Sequence, residues 1–138
     1  MNEYIDVEKL HAVLEGKLVG RGSGQTFARL VQMVQSVEFL PDGYIVHIAA
    51  NEQAARNYRA DFKTILNYFG MGDLLTHTTV QEMRFENGCR VRFLSASSPE
   101  KLQNALRGVR LDNYFVDHYA EYLISEHLHG FLQTRLKT

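Results

Sequence analysis

Between Val19 and Leu30 the chain reads VGRGSGQTFARL. Gly20, Gly22 and Gly24 lead straight into a stretch where Phe27, Leu30, Val31, Val34 and Val37 recur at helical spacing. A loop of this kind lets backbone N–H groups converge on a phosphate, and the amino terminus of the following helix adds partial positive charge. A working phosphate-binding loop places Lys and then Ser or Thr after its last glycine, the amine to reach the outer phosphates and the hydroxyl to hold magnesium. Here those positions are Gln25 and Thr26. The hydroxyl is present, but the cation is replaced by an uncharged amide, which weakens stabilisation of a transferring phosphoryl group. Far along the chain, the strand-like run Tyr114-Phe115-Val116 delivers Asp117 to its carboxyl end, where ligands collect in open α/β sheets. A released carboxylate together with a glycine-rich turn suggests a metal-nucleotide site.

Other side chains carry weaker signals. Arg84, Arg90 and Arg92, with Arg107 and Arg110, form a basic cluster able to hold a nucleic-acid backbone. Glu82, Glu86 and Asp112 lie among them, so a mixed solvated face is the plainer reading. His127 and His129 stand two apart in a helical pattern and point to different faces, which argues against a metal pair. Cys89 is the only cysteine, so neither an intrachain disulfide nor a thiolate cluster can form, and no activating group adjoins it in sequence. No Ser-His-Asp triad can be assigned, because Ser23 and Ser95 fall in loops better explained otherwise.

The elements that must position these groups follow from pattern. With 138 residues, 45% of them hydrophobic and 22% charged, the chain is expected to form one globular domain over residues 1–138. A formal net charge of -1 gives no general attraction to nucleic acid or anionic membrane. No segment has the length of a membrane span and the amino terminus lacks a signal-type apolar run, so a reducing cytoplasm is the expected compartment.

Ile5, Val7, Leu10, Val13 and Leu14 predict a short amphipathic helix ending at Gly16, leaving little room for a strand before Gly20. A second helix is predicted from Gly24 to about Ser36, then a turn at Pro41-Asp42-Gly43. GYIVHIAA predicts a strand buried on both faces. A helix capped by Asn51 and closed by Gly70 follows. Thr78 to Val80 is able to start a strand, and Asn87-Gly88 predicts a hairpin. Ser98, Pro99 and Gly108 bracket another helix. After a short buried strand at Tyr114-Phe115-Val116, a final amphipathic helix is predicted, with Arg135 and Lys137 in its last turn.

With these segments in place, the chain resembles the ATPase domain of phage terminase large subunits, which are P-loop NTPases of the additional-strand, catalytic-glutamate class. VGRGSGQT is similar to that family's phosphate-binding loop. GYIVHIAANEQAARNYRADFKTIL is similar to its second strand and helix, ENGCRVRFLSASSPEKLQNALRG to its segment ending in LRG, and LDNYFVDHYAEY to its acidic strand. The resemblance covers about Val19 to Tyr122. It implies a three-layer α/β sandwich with a mostly parallel P-loop NTPase-like sheet that contains a hairpin and lacks the last strand or strands.

Carried over residue by residue, the resemblance implies that Gly20, Arg21, Gly22, Ser23, Gly24, Gln25 and Thr26 wrap the phosphates of ATP. Arg21 would sense or stabilise the outermost one, Thr26 and Asp117 would hold magnesium, and Arg107 belongs to the turn near the site. The family's lysine is replaced by Gln25, and its water-activating glutamate by His118. Loss of both predicts that ATP is weakly held and little or not at all hydrolysed. The expected function is a degenerate terminase-like module, of phage or prophage origin and so in a host cytoplasm, that binds a protein partner or a nucleotide. Two alternatives stand beside it: a slow or partner-stimulated ATPase in viral DNA packaging, and a nucleic-acid-binding module using the arginines. A sheet lacking its last strand would also expose an edge, which invites self-association.

Overall fold

The computed structural model describes residues 5–19 and 24–137, so Gly20, Arg21, Gly22 and Ser23 lie outside the described residues. Asp6 caps α1 (Val7–Leu14), accepting from the Lys9 N–H at 3.2 Å. Leu10 and Leu14 carry its buried face, whereas Val13 is 63% exposed and does not belong to it. A 3-10 turn (Glu15–Lys17) runs through Gly16, and Leu18 and Val19 then lead toward the glycine loop without forming a strand. α2 (Gly24–Val37) follows, its buried side chains falling at the apolar positions of the sequence pattern.

β1 (Tyr44–Ala49) is buried at every position, as its unbroken apolar run requires. α3 (Glu52–Tyr68) starts at Asn51, whose side chain accepts from Ala54, and ends before Gly70, a glycine with φ of 71°. β2 (Leu75–Thr78) lies earlier than the Thr78–Val80 segment read from sequence; Val80 is 60% exposed in the connection. β3 (Glu82–Phe85) and β4 (Arg90–Ser95) form the hairpin around Asn87-Gly88. α4 (Pro99–Ala105) is capped by Ser98 with Pro99 in its first turn.

Among the described residues β5 (Asn113–Val116) pairs with β1 alone, so it is an edge strand and only half-buried rather than fully buried as its sequence suggested. The predicted long final helix is broken in two. A 3-10 stretch (His118–Leu123) gives way at Ile124, and α5 (Glu126–Arg135) restarts at Ser125, whose hydroxyl accepts from the Leu128 N–H. Lys137 lies beyond α5 and pairs with Asp112 at 2.9 Å, while Leu136 bridges Leu111 in parallel.

The sheet order is β2-β3-β4-β1-β5. β1 is parallel to both β4 and β5, whereas β3 is antiparallel to β2 and β4. The sheet is therefore mixed rather than mostly parallel in its pairing, because the tight hairpin forces β3 against its neighbours. Apolar side chains of α1, α2 and α3 pack on one face against Ile45, Val91 and Phe93. Those of α4, α5 and the 3-10 stretch pack on the other against Val46, Ile48 and Leu94. Helices on both faces of one open sheet make this an α/β fold.

Candidate functional site

Because β1, β4 and β5 run in parallel, their carboxyl ends reach the same edge of the sheet. Ala96 N–H donates to the Ala49 carbonyl and Asp117 N–H to the Ile48 carbonyl, both at 2.8 Å, so the end of β1 is flanked by Ser95-Ala96 and by Asp117. Ser95 Oγ lies 2.7 Å from Ser97 Oγ. Asp117 is buried, at 2% exposure.

The amino end of α2 is fastened to this edge by Arg29, whose Nη1 donates to the Val116 carbonyl at 2.6 Å. Thr26 stands three residues earlier on α2, a spacing that puts both side chains on one helix face. Thr26 is itself buried. α2 is thus tied to the end of β5, one residue before Asp117, from a position one turn past Thr26.

Behind them, α3 presents Tyr58 and Asp61, also one turn apart and buried. Asp61 Oδ1 accepts from the Val19 N–H at 2.6 Å, so α3 holds the segment leading into the glycine loop. Tyr58 lies beside Asp117; burial first, and then the charge of that carboxylate, hold the phenol protonated well above its usual range. His47 sits in β1 with its ring centroid 5.0 Å from that of Tyr58 and 5.8 Å from that of Phe93. Neither of its ring nitrogens has a hydrogen-bond partner among the described residues. Burial, reinforced by the charge of Arg29, lowers its pKa from 6.5 to about 3, so the imidazole is neutral.

Comparison of the chain with protein-family models, with curated proteins and with solved structures returns no match. The reading of the site therefore rests on its own geometry.

Of the residues singled out from sequence, Gly20, Arg21, Gly22 and Ser23 lie outside the described residues. Gly24 and Gln25 open α2 and are exposed. Thr26 is buried one turn before Arg29, and Asp117 is buried directly after Val116, the residue to which Arg29 donates. His118 is exposed at the start of the 3-10 stretch, its ring 5.5 Å from Tyr119 and 6.1 Å from Tyr122 in edge-on contacts.

Most of the basic cluster is engaged within the fold. Arg84 and Arg90 lie 3.3 and 3.8 Å from Glu82 oxygens, and Arg90 also covers the Tyr44 ring at 4.5 Å. Arg92 donates to Tyr44 Oη and the Ala105 carbonyl at 3.2 Å, and to Gln81 Oε1 at 3.3 Å. Arg110 donates to the Thr134 carbonyl at 3.0 Å. Arg107 is exposed just past α4. Among the described residues no group of three or more His, Cys, Asp or Glu is arranged to hold a metal ion.

Arg29, Tyr58, Asp61 and His47 were not read as site residues from sequence. His47 had a signal, being the one polar side chain in the run YIVHIA. Tyr58 and Asp61 share the apolar face of α3 with Phe62 and Ile65, where a carboxylate is out of place without a partner. Arg29 had none, since an arginine in a helix ordinarily reads as solvated.

Proposed function

We propose that this chain binds a phosphate-bearing nucleotide at the amino terminus of α2 and turns it over slowly or not at all. On this reading it is a degenerate relative of the terminase ATPase core, working as a binding or regulatory module. The observation that carries the reading is the Arg29–Val116 hydrogen bond, which ties α2, one turn after Thr26, to the residue before Asp117. An open helix amino terminus favours anions, and a buried carboxylate beside it favours a bridging cation.

The donor set fits magnesium in kind, since this cation takes oxygen ligands, keeps several waters and is held by one or two carboxylates together with substrate phosphates. The Thr26 hydroxyl and the Asp117 carboxylate would hold it, and its chemistry would be to neutralise phosphate charge. Tyr58 stands beside the Asp117 carboxylate, and Asp61 fixes the approach to the loop through Val19. Two features argue against efficient hydrolysis. Gln25 brings no charge to the phosphates, and His118 lies in solvent against Tyr119 and Tyr122. The nucleic-acid reading draws less support, because Arg84, Arg90, Arg92 and Arg110 already have partners within the fold.

The test is calorimetric titration with ATP and magnesium of the wild type, Thr26→Ala and Gln25→Lys. Binding that disappears in Thr26→Ala and tightens in Gln25→Lys is the expected result. Absence of heat in both the wild type and Gln25→Lys would sink the proposal. An ATPase assay of the same proteins with added DNA separates silent binding from slow, stimulated turnover.

A further inference from the structure

At the opposite end of α2 lies a surface that the nucleotide reading does not use. A groove of about 630 Å³ is lined by Val34, Leu40, Phe69 and Met71, where the last turn of α2 and the segments that follow α2 and α3 come together. Beside it a hollow of about 330 Å³ is lined by Leu74 and Phe85, and Glu38 borders both. Phe39, also lining the groove, is 66% exposed. An aromatic side chain left in water beside an apolar groove is the usual mark of an interaction surface.

The charge around this groove has one sign. Among the described residues that line it and the hollow, Glu38 and Glu86 are the ionisable ones, and both are exposed carboxylates. α2 and α3 both direct their carboxyl-terminal ends here, and neither carries a basic residue in its last turn. Helix carboxyl ends bear partial negative charge that a nearby cation offsets. Two helix ends without a basic residue and two carboxylates therefore converge on this groove. Two backbone carbonyls at this surface are already taken, that of Leu74 by the Glu86 N–H at 2.7 Å and that of Val37 by Asn87 Nδ2 at 2.8 Å. The groove itself offers mainly apolar side chains and carboxylates, which suits a helix laid into it.

We propose that this groove docks a cationic amphipathic helix of a partner protein, its apolar face on Phe39, Leu40 and Phe69 and its lysines or arginines beside Glu38 and Glu86. The proposal is independent of whether nucleotide binds.

The probes are two synthetic peptides patterned as amphipathic helices, one of leucine and lysine and one of leucine and glutamate, titrated into the full chain. The lysine peptide is expected to bind, more weakly as salt rises, and the glutamate peptide is not. The Glu38→Lys/Glu86→Lys double variant should bind the lysine peptide at least roughly tenfold more weakly, the loss expected from removing and then reversing two charge contacts. Both positions are exposed, so an unchanged unfolding transition is the check that the variant is intact. Phe39→Ser should weaken binding without altering its salt dependence. Equal affinity for the two peptides, no binding of either, or undiminished binding by the double variant would overturn the proposal. So would a wild-type dimer in sedimentation that the double variant abolishes, since the occupant would then be a second copy.

Discussion

The guanidinium of Arg29 and the carbonyl of Val116 meet at 2.6 Å, joining α2 to the open edge of β5 one residue before Asp117. Among the described residues β5 has no second strand partner, so without Arg29 this carbonyl would face outward unpaired.

Replacing Arg29 with methionine keeps much of the stem and removes the donor. The expected cost is about 1–3 kcal/mol, the range for stranding a partly buried acceptor once bonded to a charged group. Urea denaturation gives the number. Unchanged stability would mean that Arg29 only lies near the edge and does not fasten it.

His47 makes stability depend on acid. Its pKa is 6.5 when exposed and about 3 in the fold, so between these values the unfolded chain takes up a proton that the folded one refuses. Stability is therefore complete above the unfolded value, falls as pH drops through it, and stops falling near the folded value. One pH unit below the unfolded value this amounts to about 1.4 kcal/mol. His47→Leu should abolish this component, and by removing two unpartnered nitrogens should raise stability at neutral pH. Urea midpoints at the two pH values test both statements. A variant with the same acid dependence as the wild type would assign it to other groups.

The core of the fold could be read from sequence wherever local chemistry and tertiary role agree. β1 announced itself as an unbroken apolar run, the hairpin as Asn87-Gly88, and α3 through Asn51 and Gly70. The final helix was misjudged because Ala120, Glu121 and Tyr122 are compatible with a helix, whereas the break depends on burying Ala120 and Ile124 against the sheet. Of the proposed site, Thr26 and Asp117 were singled out from sequence because motif chemistry specifies residue types at those positions. Arg29 was not, since its partner lies 87 residues away and is a backbone carbonyl that any residue supplies.

Cys89 is fully buried, and burial raises its thiol to a pKa of about 11. Modification by a thiol-specific reagent should be negligible in the native protein at mildly alkaline pH and rapid in urea. Fast stoichiometric labelling of the native chain would show that the hairpin opens readily.

Gly88 has φ of 87°, and a Cβ there would run into the Asp42 carboxylate. Gly88→Ala is expected to lose about 1–3 kcal/mol from strain alone. Gly16→Ala, with open space around its α-carbon, serves as the neutral comparison. Equal thermal midpoints for the two variants would contradict the turn geometry.

The central position of β1 has a consequence for the order in which the chain can fold. Both its hydrogen-bonding edges wait for strands made later, Arg90–Ser95 on one side and Asn113–Val116 on the other. The β3–β4 hairpin closes over a short stretch of chain and can form early, but the middle of the sheet depends on contacts distant in sequence. During synthesis β1 therefore emerges as an apolar strand with neither neighbour yet made. For that interval the helices on either side of it in sequence, α2 and α3, are what can shield it, which places the burden of avoiding misassociation on their packing.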